Sequence, residues 1–403
     1  MSKILQTKKL IMITGEFNNN KFYYMFQYDE DPDVFHVEYG RVDVTSNKMT
    51  YPISKWNSKY NEKIKKGYKD MTDLIIVSKA SGEYKEIESN EIKSLVDSLL
   101  NYAKTTIKNN YTITAESVTR KQLDRAQTII NEIVDYKKQR NKDLNYLNKL
   151  LLELYTVIPR KMKKVQEELF VSPNIKEIND RLEKEQSLLD TLEGQVQTIS
   201  VDVQTDKTIL DAMNIEIFEI NEEKEINYIK EKMGDQSNLF SKAFKLSHKK
   251  SWNNFSNYVE KVENKSVRHL WHGSRNENWW NILVTGLLIK PAGSIHTGSM
   301  FGAGLYFADR CKKSVGYTSL RGSYWASGSD NKAYLSLFKV HLGISLHIQR
   351  HESWCYDLTE NKLKNKGNYD SLFAEGGIDL VNNEFIVYNT NQATIRYIVE
   401  IKS

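Results

Sequence analysis

A histidine, a glycine, a serine and an arginine stand at consecutive positions, 272 to 275, directly after an apolar pair. A glycine at a strand end lets another molecule lie against the backbone, because no Cβ obstructs the approach. The imidazole of His272 and the hydroxyl of Ser274 flank that glycine, and both groups form hydrogen bonds. The segment therefore predicts a place where backbone and side-chain polar groups hold a ligand together.

Two tyrosines and one glutamate in separate motifs downstream add flat surfaces and a carboxylate. Tyr306 lies in GLYFA, Tyr317 in SVGY and Glu384 in NNEFIVY. Aromatic rings stack on planar ligands, and a carboxylate stabilises developing positive charge or polarises a hydroxyl group. Taken singly, His272 is typical of a satisfied strand-end residue, Tyr306 of a core residue and Glu384 of a solvated strand residue. Only their joint occurrence favours a site.

Length, charge and cysteine content limit the class of protein. The chain has 403 residues, enough for two or three domains, and a net charge of +5, so any binding to a polyanion requires a local patch. Two cysteines, Cys311 and Cys355, provide neither a disulfide framework nor a cysteine-rich zinc site. No signal peptide is recognisable, and no apolar run approaches the ~20 residues of a spanning helix. We expect an intracellular protein without a metal site or a membrane contact.

Residues 1–84 carry the pattern of a β-rich module. The segments 21–28 (KFYYMFQY) and 34–42 (VFHVEYGRV) contain the aromatic and β-branched residues of neighbouring strands. The stretch SKWNSKYNEKIKKGY then predicts a basic amphipathic helix that ends near Gly67. Its lysines form the densest basic cluster of the module: Lys55, Lys59, Lys63, Lys65, Lys66 and Lys69. Charge alone favours a solvated helix face over a nucleic-acid contact here.

Residues 86–210 are helical by their apolar period. Thr119 and Gln122 have the spacing of a capping box, and apolar residues then recur on one helix face. A second helix is expected to stop at Pro159, and a third carries its apolar residues between positions 175 and 196. The pattern predicts a bundle of three or four helices. The heptad-like stretch is too short for a dimerising coiled coil.

From residue 211 onwards, short strands alternate with glycine-containing turns, which predicts an antiparallel α+β domain. Neither G-x-G-x-x-G nor G-x-x-x-x-G-K-[ST] is present, so neither of these two nucleotide-binding loops can be argued. The expected fold is a multidomain α+β protein with a small β-rich module, an all-α bundle and an antiparallel α+β domain.

The motifs of all three regions occur together in one known family. LWHGSR, GSMFGAGLYFADRCKKSVGY and NNEFIVYN, in this order, closely resemble the catalytic domain of the poly(ADP-ribose) polymerases, the His-Tyr-Glu class of ADP-ribosyltransferases. The front of the chain is similar to the family's WGR module through YGRV and the basic helix. Residues 86–210 are similar to its helical regulatory domain through SVTRKQLDRAQTIINEI and LYTVIP. The resemblance covers essentially the whole chain, implies domains at 1–84, 86–210 and 211–403, and matches the layout of the short DNA-dependent members.

The resemblance implies that NAD⁺ is the substrate and that the bond between its nicotinamide and its ribose is broken. The transition state of that reaction resembles an oxocarbenium ion, as in glycoside cleavage. Gly273 would hold the carboxamide through its backbone N–H and C=O, and Ser274 would add a hydroxyl. His272 would form a hydrogen bond with the adenosine ribose.

The family's pattern also implies flat walls and a catalytic carboxylate. Tyr306 and Tyr317 would stack on the two faces of the nicotinamide, and Glu384 would hold the ribose and polarise the acceptor hydroxyl, with Lys313 beside it. The implied catalytic residues are Glu384, His272 and Tyr306. The implied NAD⁺ site comprises His272, Gly273, Ser274, Arg275, Tyr306, Ala308, Lys313, Ser314 and Tyr317.

The front half implies regulation by nucleic acid. The family's Trp-Gly-Arg is Tyr39, Gly40 and Arg41 here, and relatives use this module to hold a DNA break. Arg41 could pair with a phosphate. In relatives the helical domain covers the NAD⁺ site until DNA binding shifts the population to an open state. The resemblance thus implies a DNA-break-stimulated enzyme, monomeric without DNA, that makes poly(ADP-ribose) on itself and other proteins in a DNA damage response, in the nucleus if eukaryotic.

Two departures from the family's pattern keep alternatives open. Leu288 stands where an arginine often reaches the adenosine side, and the stretch before Glu384 is shorter than in larger members. Product length and acceptor choice are therefore open. The alternatives are a DNA-independent mono-ADP-ribosyltransferase and a catalytically idle DNA-end-binding scaffold; the intact His-Tyr-Glu set speaks against the scaffold.

Overall fold

A computed structural model describes residues 3–42, 46–72, 84–112, 115, 118–200, 206–289 and 300–403. The chain divides into two compact units. The first comprises Met1–Ala80 and Thr105–Leu192, and the second comprises Ser81–Lys104 and Glu193–Ser403. Among the described residues, no helix combines the length and the apolar character that a bilayer crossing requires.

The first unit begins with a five-stranded antiparallel sheet. Its elements are β1 (Ile4–Thr14), β2 (Asn19–Tyr28), β3 (Val34–Arg41), β4 (Asn47–Pro52), α1 (Trp56–Lys65) and β5 (Lys69–Asp70). The strand order is β4-β3-β2-β1-β5. The two strands expected at 21–28 and 34–42 are β2 and β3, and α1 is the expected basic helix. It ends before Gly67, whose φ of +89° suits a glycine.

Alternating side chains of β1, β2 and β3 build the core of this sheet. Leu10, Met25, Phe35 and Val37 are fully buried, and Trp56 at the start of α1 packs against them. Aromatic and β-branched residues at every second position bury one face of each strand, which is why these segments form a sheet.

Helices dominate the next part of the chain: α2 (Asn90–Asn110), α3 (Arg120–Tyr136), α4 (Leu144–Val157), α5 (Ile175–Ser200) and α6 (Ile209–Ala212). The expected capping box is present, because the Thr119 side chain accepts a hydrogen bond from the Gln122 backbone and the Gln122 side chain bonds the Thr119 N–H. The helix expected to stop at Pro159 is α4. The apolar face expected for α3 is buried.

The second unit contains two sheets. Its elements are β6 (Ile215–Glu219), α7 (Glu223–Met233), β7 (Phe240–His248), α8 (Lys249–Lys261), β8 (Val267–Gly273), α9 (Trp279–Thr285), β9 (Leu305–Phe307), α10 (Cys311–Val315), β10 (Lys332–His341), β11 (Ser345–Ile348), α11 (Glu360–Gly367), β12 (Ser371–Ala374), β13 (Glu384–Val387) and β14 (Ala393–Lys402). The sheet orders are β6-β7-β14-β10-β8 and β11-β12-β13-β9. The α+β character expected from the sequence is confirmed.

One strand pair departs from the expected antiparallel arrangement. Strands β11 and β12 run parallel, whereas every other neighbouring pair among the described strands of this unit is antiparallel. Residues 349–370, which include α11, carry the chain back to the starting end of the sheet. Parallel strands need such a crossover connection. The expected antiparallel pairing therefore holds for the described strands of this unit except at β11 and β12.

A short backbone contact joins the two sheets of the second unit. The N–H of Trp271 donates to the carbonyl of Ala308 at 2.8 Å, and the N–H of Ala308 donates to the carbonyl of Trp271 at 2.9 Å. Strand β9 in turn pairs with β13. The end of β8 therefore lies beside the strands that carry Tyr306 and Glu384.

Candidate active site

The structure brings the three residues of the expected catalytic set together. Tyr306 on β9 pairs directly with Ile386 on β13, and alternation along β13 places Glu384 on the same face as Ile386. His272 at the end of β8 approaches from the other sheet, with its Nδ1 3.1 Å from the carbonyl oxygen of Tyr306. The imidazole, the phenol and the carboxylate thus belong to one region of the second unit.

Glu384 is a buried carboxylate with a buried cationic partner. Its side chain is 7% exposed and forms an ion pair with the Nζ of Lys313, whose side chain is 12% exposed. Burial raises the pKa of Glu384 while the ammonium of Lys313 opposes that rise, and burial lowers the pKa of Lys313. Within the described part of the chain, Glu384 Oε2 has no hydrogen-bond partner. That oxygen can accept a hydrogen bond from a ligand hydroxyl.

A chain of hydrogen bonds fixes the backbone just before Glu384. The Asn383 amide donates to Asp309 at 2.8 Å, and its side-chain oxygen accepts from the Gly376 N–H at 2.9 Å. The ammonium of Lys313 also lies 3.5 Å from the carbonyl oxygen of Asn383. Asn383 and Asp309 therefore position the start of β13. Sequence reasoning did not single them out, although both lie inside the matched motifs.

Gly273 lies against the backbone of α10. A Cβ at position 273 would stand 1.9 Å from the carbonyl oxygen of Ser314, so no larger residue fits without moving that helix. The same carbonyl accepts a hydrogen bond from the N–H of Tyr317 at 3.1 Å. Next to this glycine, the Ser274 hydroxyl accepts a hydrogen bond from the Asn278 amide at 3.0 Å, and Arg275 is exposed.

The ring of Tyr306 is oriented by main-chain groups. Its hydroxyl donates to the carbonyl of Gly302 at 2.8 Å and accepts from the N–H of Phe301 at 3.0 Å. Burial raises the pKa of Tyr306, and the nearby acidic groups of Glu384 and Tyr317 add to that rise. Tyr306 therefore lies near both the carboxylate of Glu384 and Tyr317.

Tyr317 follows α10 and stacks on a second aromatic residue. The ring centroids of Tyr317 and Trp325 are 6.0 Å apart, with an interplanar angle of 18°. The backbone N–H of Trp325 donates to the carbonyl of Gly316 at 2.9 Å, which ties the two segments together. Sequence reasoning missed Trp325, since nothing in the spacing relates it to Tyr317.

The His272 ring is enclosed by aromatic side chains. Its centroid lies 6.3 Å from Trp279 and 5.9 Å from both Phe307 and Phe338. Because a carbonyl oxygen only accepts, the contact with Tyr306 requires a proton on Nδ1. Ala308, also expected in the site, is buried at the contact between the sheets.

The expected nucleic-acid residues belong to the first unit. Tyr39 lies on β3 with its ring centroid 6.0 Å from that of Tyr23, and Gly40 pairs with β2. The guanidinium of Arg41 donates to the carbonyl of Asn18 at 2.7 Å, to its side-chain oxygen at 3.3 Å and to the carbonyl of Lys163 at 3.1 Å. Arg41 thus stabilises a turn and a loop of its own unit.

Some lysines of the basic cluster are exposed, and some contact neighbouring side chains. Lys63 lies 4.2 Å from the ring centroid of Tyr23, and Lys59 and Lys66 both pair with Glu62. The exposed members of the cluster are Lys55, Lys65, Lys66 and Lys69.

Leu288, which stands where the family often has an arginine, is 42% exposed. The last residues of its motif, 290–291, lie outside the described part of the chain.

Comparison with known proteins identifies the second unit. The sequence model of a family described as "Poly(ADP-ribose) polymerase catalytic domain" matches residues 215–403. A "Putative poly [ADP-ribose] polymerase-like 100L" of Invertebrate iridescent virus 6 is 33% identical over 186 residues, which cover 45% of this chain and 95% of the relative. "Uncharacterized protein 101L" of the same virus is 38% identical over 189 residues, 47% of this chain and 77% of the relative.

A longer cellular relative matches over a smaller share of its length. "Poly [ADP-ribose] polymerase 2" of Homo sapiens is 31% identical over 169 residues, which cover 36% of this chain and 28% of that protein. The expected family and the expected enzyme class are both confirmed by these matches. The chain therefore belongs to the poly(ADP-ribose) polymerase family and is an ADP-ribosyltransferase that uses NAD⁺ as its substrate.

Proposed function

We propose that this enzyme is stimulated by DNA breaks and makes poly(ADP-ribose) on itself and on neighbouring proteins, as part of a DNA damage response. The single observation that carries the polymerising activity is the buried carboxylate of Glu384, held by Lys313 with one oxygen unpartnered in the described part of the chain. A carboxylate so placed can polarise the hydroxyl of an incoming ADP-ribose unit.

Substrate recognition is assigned to the end of β8. The N–H and C=O of Gly273 hold the nicotinamide carboxamide, and the Ser274 hydroxyl donates to the same group. Because Ser274 Oγ already accepts from Asn278, its proton is directed away from that amide and is available to the ligand. The rings of Tyr306 and Tyr317 stack on the two faces of the nicotinamide. His272 forms a hydrogen bond with the adenosine ribose.

The chemical step separates charge next to Glu384. The bond between the nicotinamide nitrogen and ribose C1′ breaks, the nicotinamide leaves with the electron pair, and positive charge develops on the ribose. The carboxylate of Glu384 stabilises that charge and draws the proton of the acceptor hydroxyl, whose oxygen forms the new bond to C1′. Burial raises the pKa of Glu384, and Lys313 opposes that rise and holds the carboxylate in place. Arg275, Ala308 and Ser314 complete the wall of the NAD⁺ site.

Regulation by DNA is assigned to the front of the chain. In this proposal residues 1–84 bind the DNA break, residues 86–210 regulate, and residues 211–403 catalyse. The exposed lysines of α1 and β5 support a phosphate contact. The guanidinium of Arg41 uses three of its five N–H donors on Asn18 and Lys163, so we favour a positioning role for Tyr39, Gly40 and Arg41. In this proposal the enzyme is a monomer in the absence of DNA and acts in the nucleus of a eukaryotic host, or otherwise inside the cell.

Incubation of the purified chain with labelled NAD⁺, with and without nicked or blunt DNA, tests both parts of the proposal. We expect a smear of automodified protein that increases with DNA. A sharp single-unit product without a response to DNA would instead establish a mono-ADP-ribosyltransferase. Absence of label transfer under both conditions would leave a DNA-end-binding scaffold.

A further inference from the structure

A pair of cations shares one tryptophan in the second unit. Trp252 lies near the start of α8, and the Nζ of Lys339 on β10 is 4.9 Å from its ring centroid. The guanidinium carbon of Arg396 on β14 is 6.0 Å from the same centroid. All three side chains are partly exposed. Within the described residues, neither cation forms an ion pair with a carboxylate. We refer to Trp252, Lys339 and Arg396 as the Trp252 cluster.

A β-bulge directs Arg396 towards this cluster. Leu337 pairs with Tyr397, whereas Phe338 pairs with Ile395, so Arg396 is the extra residue between two rungs of the β10–β14 ladder. Bulges re-aim side chains and occur frequently next to functional sites. Here the bulge brings one cation beside another, although like charges repel each other. The contact with Trp252, and the ring of Tyr397 at 5.7 Å from Arg396, offset part of that repulsion. An anionic ligand would neutralise both charges.

The surroundings of the cluster carry an excess of positive charge. His269 pairs directly with Lys339 across β8 and β10. Burial lowers the pKa of His269 to about 4, and the charges of Lys339, Lys232 and Arg396 contribute. The charge of Arg396 also acts on the carboxylate of Glu225. That carboxylate is already occupied, because it accepts a hydrogen bond from the Tyr397 hydroxyl at 2.6 Å and pairs with the Nζ of Lys245 at 3.0 Å.

The cluster is separate from the NAD⁺ site. Lys339 pairs with His269, and alternation along β8 places His269 and His272 on opposite faces of the sheet. A ligand at Lys339 therefore meets the face of β8 that does not carry the His272 side chain.

We propose that the Trp252 cluster binds the phosphate groups and a base of a nucleotide chain. Lys339 and Arg396 neutralise the phosphates, and the indole of Trp252 provides a flat surface for the base. Two sources present this chemistry to an ADP-ribosyltransferase, namely an ADP-ribose chain and single-stranded nucleic acid. Binding at this site does not require the enzyme itself to make either kind of chain.

Binding measurements on the full chain test this site. The probes are a labelled ADP-ribose oligomer, supplied ready-made, and a labelled single-stranded DNA oligonucleotide with the same number of phosphates. The double variant Lys339→Gln/Arg396→Gln is compared with Lys261→Gln/Lys265→Gln, which removes the same charge from exposed positions at the far end of α8 and beyond it. We expect at least tenfold weaker binding of one probe or both in the first variant only.

The salt dependence separates a direct contact from a general charge effect. The slope of log affinity against log salt concentration is negative, and loss of two phosphate contacts should make it shallower by about 1.4 for a single strand. Trp252→Leu should weaken binding by roughly tenfold with the slope unchanged, because stacking is not salt-dependent in this way. A loss confined to one probe identifies the source of the ligand.

Equal affinities and slopes in the two double variants for both probes would overturn the proposal. NAD⁺ turnover serves as a separate readout, and we expect it to be unchanged in all these variants. A failure of the DNA-stimulated polymerase proposal would appear in that readout or in the automodification product, and it would leave the binding result with ready-made probes unaffected.

Discussion

The carbonyl oxygen of Ser314 occupies the space in which a side chain on Gly273 would begin, because a Cβ there would stand 1.9 Å from that oxygen. Ser314 is 3% exposed and lies in α10, one residue after Lys313. The close approach therefore ties the end of β8 to the helix that holds Glu384 through Lys313. Two parts of the proposed NAD⁺ site share one steric constraint.

We expect Gly273→Ala to displace α10 and to lower kcat/KM for NAD⁺ by at least 10². The reason is that a shift of about 1 Å in positioned groups costs this much in rate. The control is Gly234→Ala, where a Cβ meets nothing within 4 Å and only the φ of +57° is unfavourable. Steady-state NAD⁺ turnover of both variants decides the matter. Full activity of Gly273→Ala would contradict the steric constraint.

The ion pair between Lys313 and Glu384 predicts a pH effect of definite sign. Burial raises the pKa of Glu384, and the ammonium of Lys313 partly offsets this. In Lys313→Met the offset is lost, so Glu384 should stay protonated to a higher pH. The acidic limb of the kcat profile should move to higher pH than in the unmodified enzyme. An unchanged limb would show that another group controls it.

Stability measurements on the same pair distinguish its structural cost from its chemistry. Glu384→Gln leaves Lys313 as a buried unpaired charge, and breaking a buried pair in this way costs about 3–5 kcal/mol. Lys313→Met/Glu384→Leu should regain most of that stability, because an apolar pair has no charge to desolvate. Both variants should lack polymer formation. Thermal unfolding should show that the double variant regains stability, and automodification assays should show that it does not regain activity.

The sequence predicted the parts of the site that lie within compact motifs, and it missed the contacts that the fold creates. His272 and Glu384 stand near strand ends and Tyr306 lies in the short strand β9, each beside apolar residues, so both their strands and their motifs were recognisable. The parallel pairing of β11 with β12 depends on the path of residues 349–370, for which no local pattern exists. Arg41 has the type of a phosphate ligand, yet its partners Asn18 and Lys163 are 23 and 122 positions away. Such partners become known only from the fold.

Trp325 should act as a positioning residue for Tyr317. Their rings are stacked with centroids 6.0 Å apart, and loss of the indole would remove this contact from the Tyr317 ring. We expect Trp325→Ala to raise KM for NAD⁺ several-fold, because an aromatic pair contributes about 0.5–1.5 kcal/mol beyond area burial. In Trp325→Phe, the KM for NAD⁺ should lie close to that of the unmodified enzyme. The control is Tyr324→Ala, since Tyr324 is 78% exposed and contacts Trp325 at its edge. Equal KM values for the two alanine variants would exclude the positioning role.

The first unit is expected to depend on a buried ion pair. Arg160 Nη1 lies 2.5 Å from Glu185 Oε2, with side chains that are 5% and 3% exposed. The Tyr155 hydroxyl lies 3.3 Å from Glu185 Oε1, and the Asn20 amide on β2 donates to the Arg160 carbonyl at 3.2 Å. The pair and its neighbours therefore connect α4, α5 and the sheet within this unit.

Removing one partner should destabilise this unit far more than the loss of an exposed pair. We expect Glu185→Gln to cost about 3–5 kcal/mol, because Arg160 stays buried without a counter-charge. Asp124→Asn, which breaks the pair of Arg120 and Asp124 with side chains 64% and 61% exposed, should cost about 0–1 kcal/mol. Amide hydrogen exchange in α3 and α4 reports the first unit even if the two units unfold separately. Similar exchange rates in both variants would show that Arg160 finds another partner or reaches water.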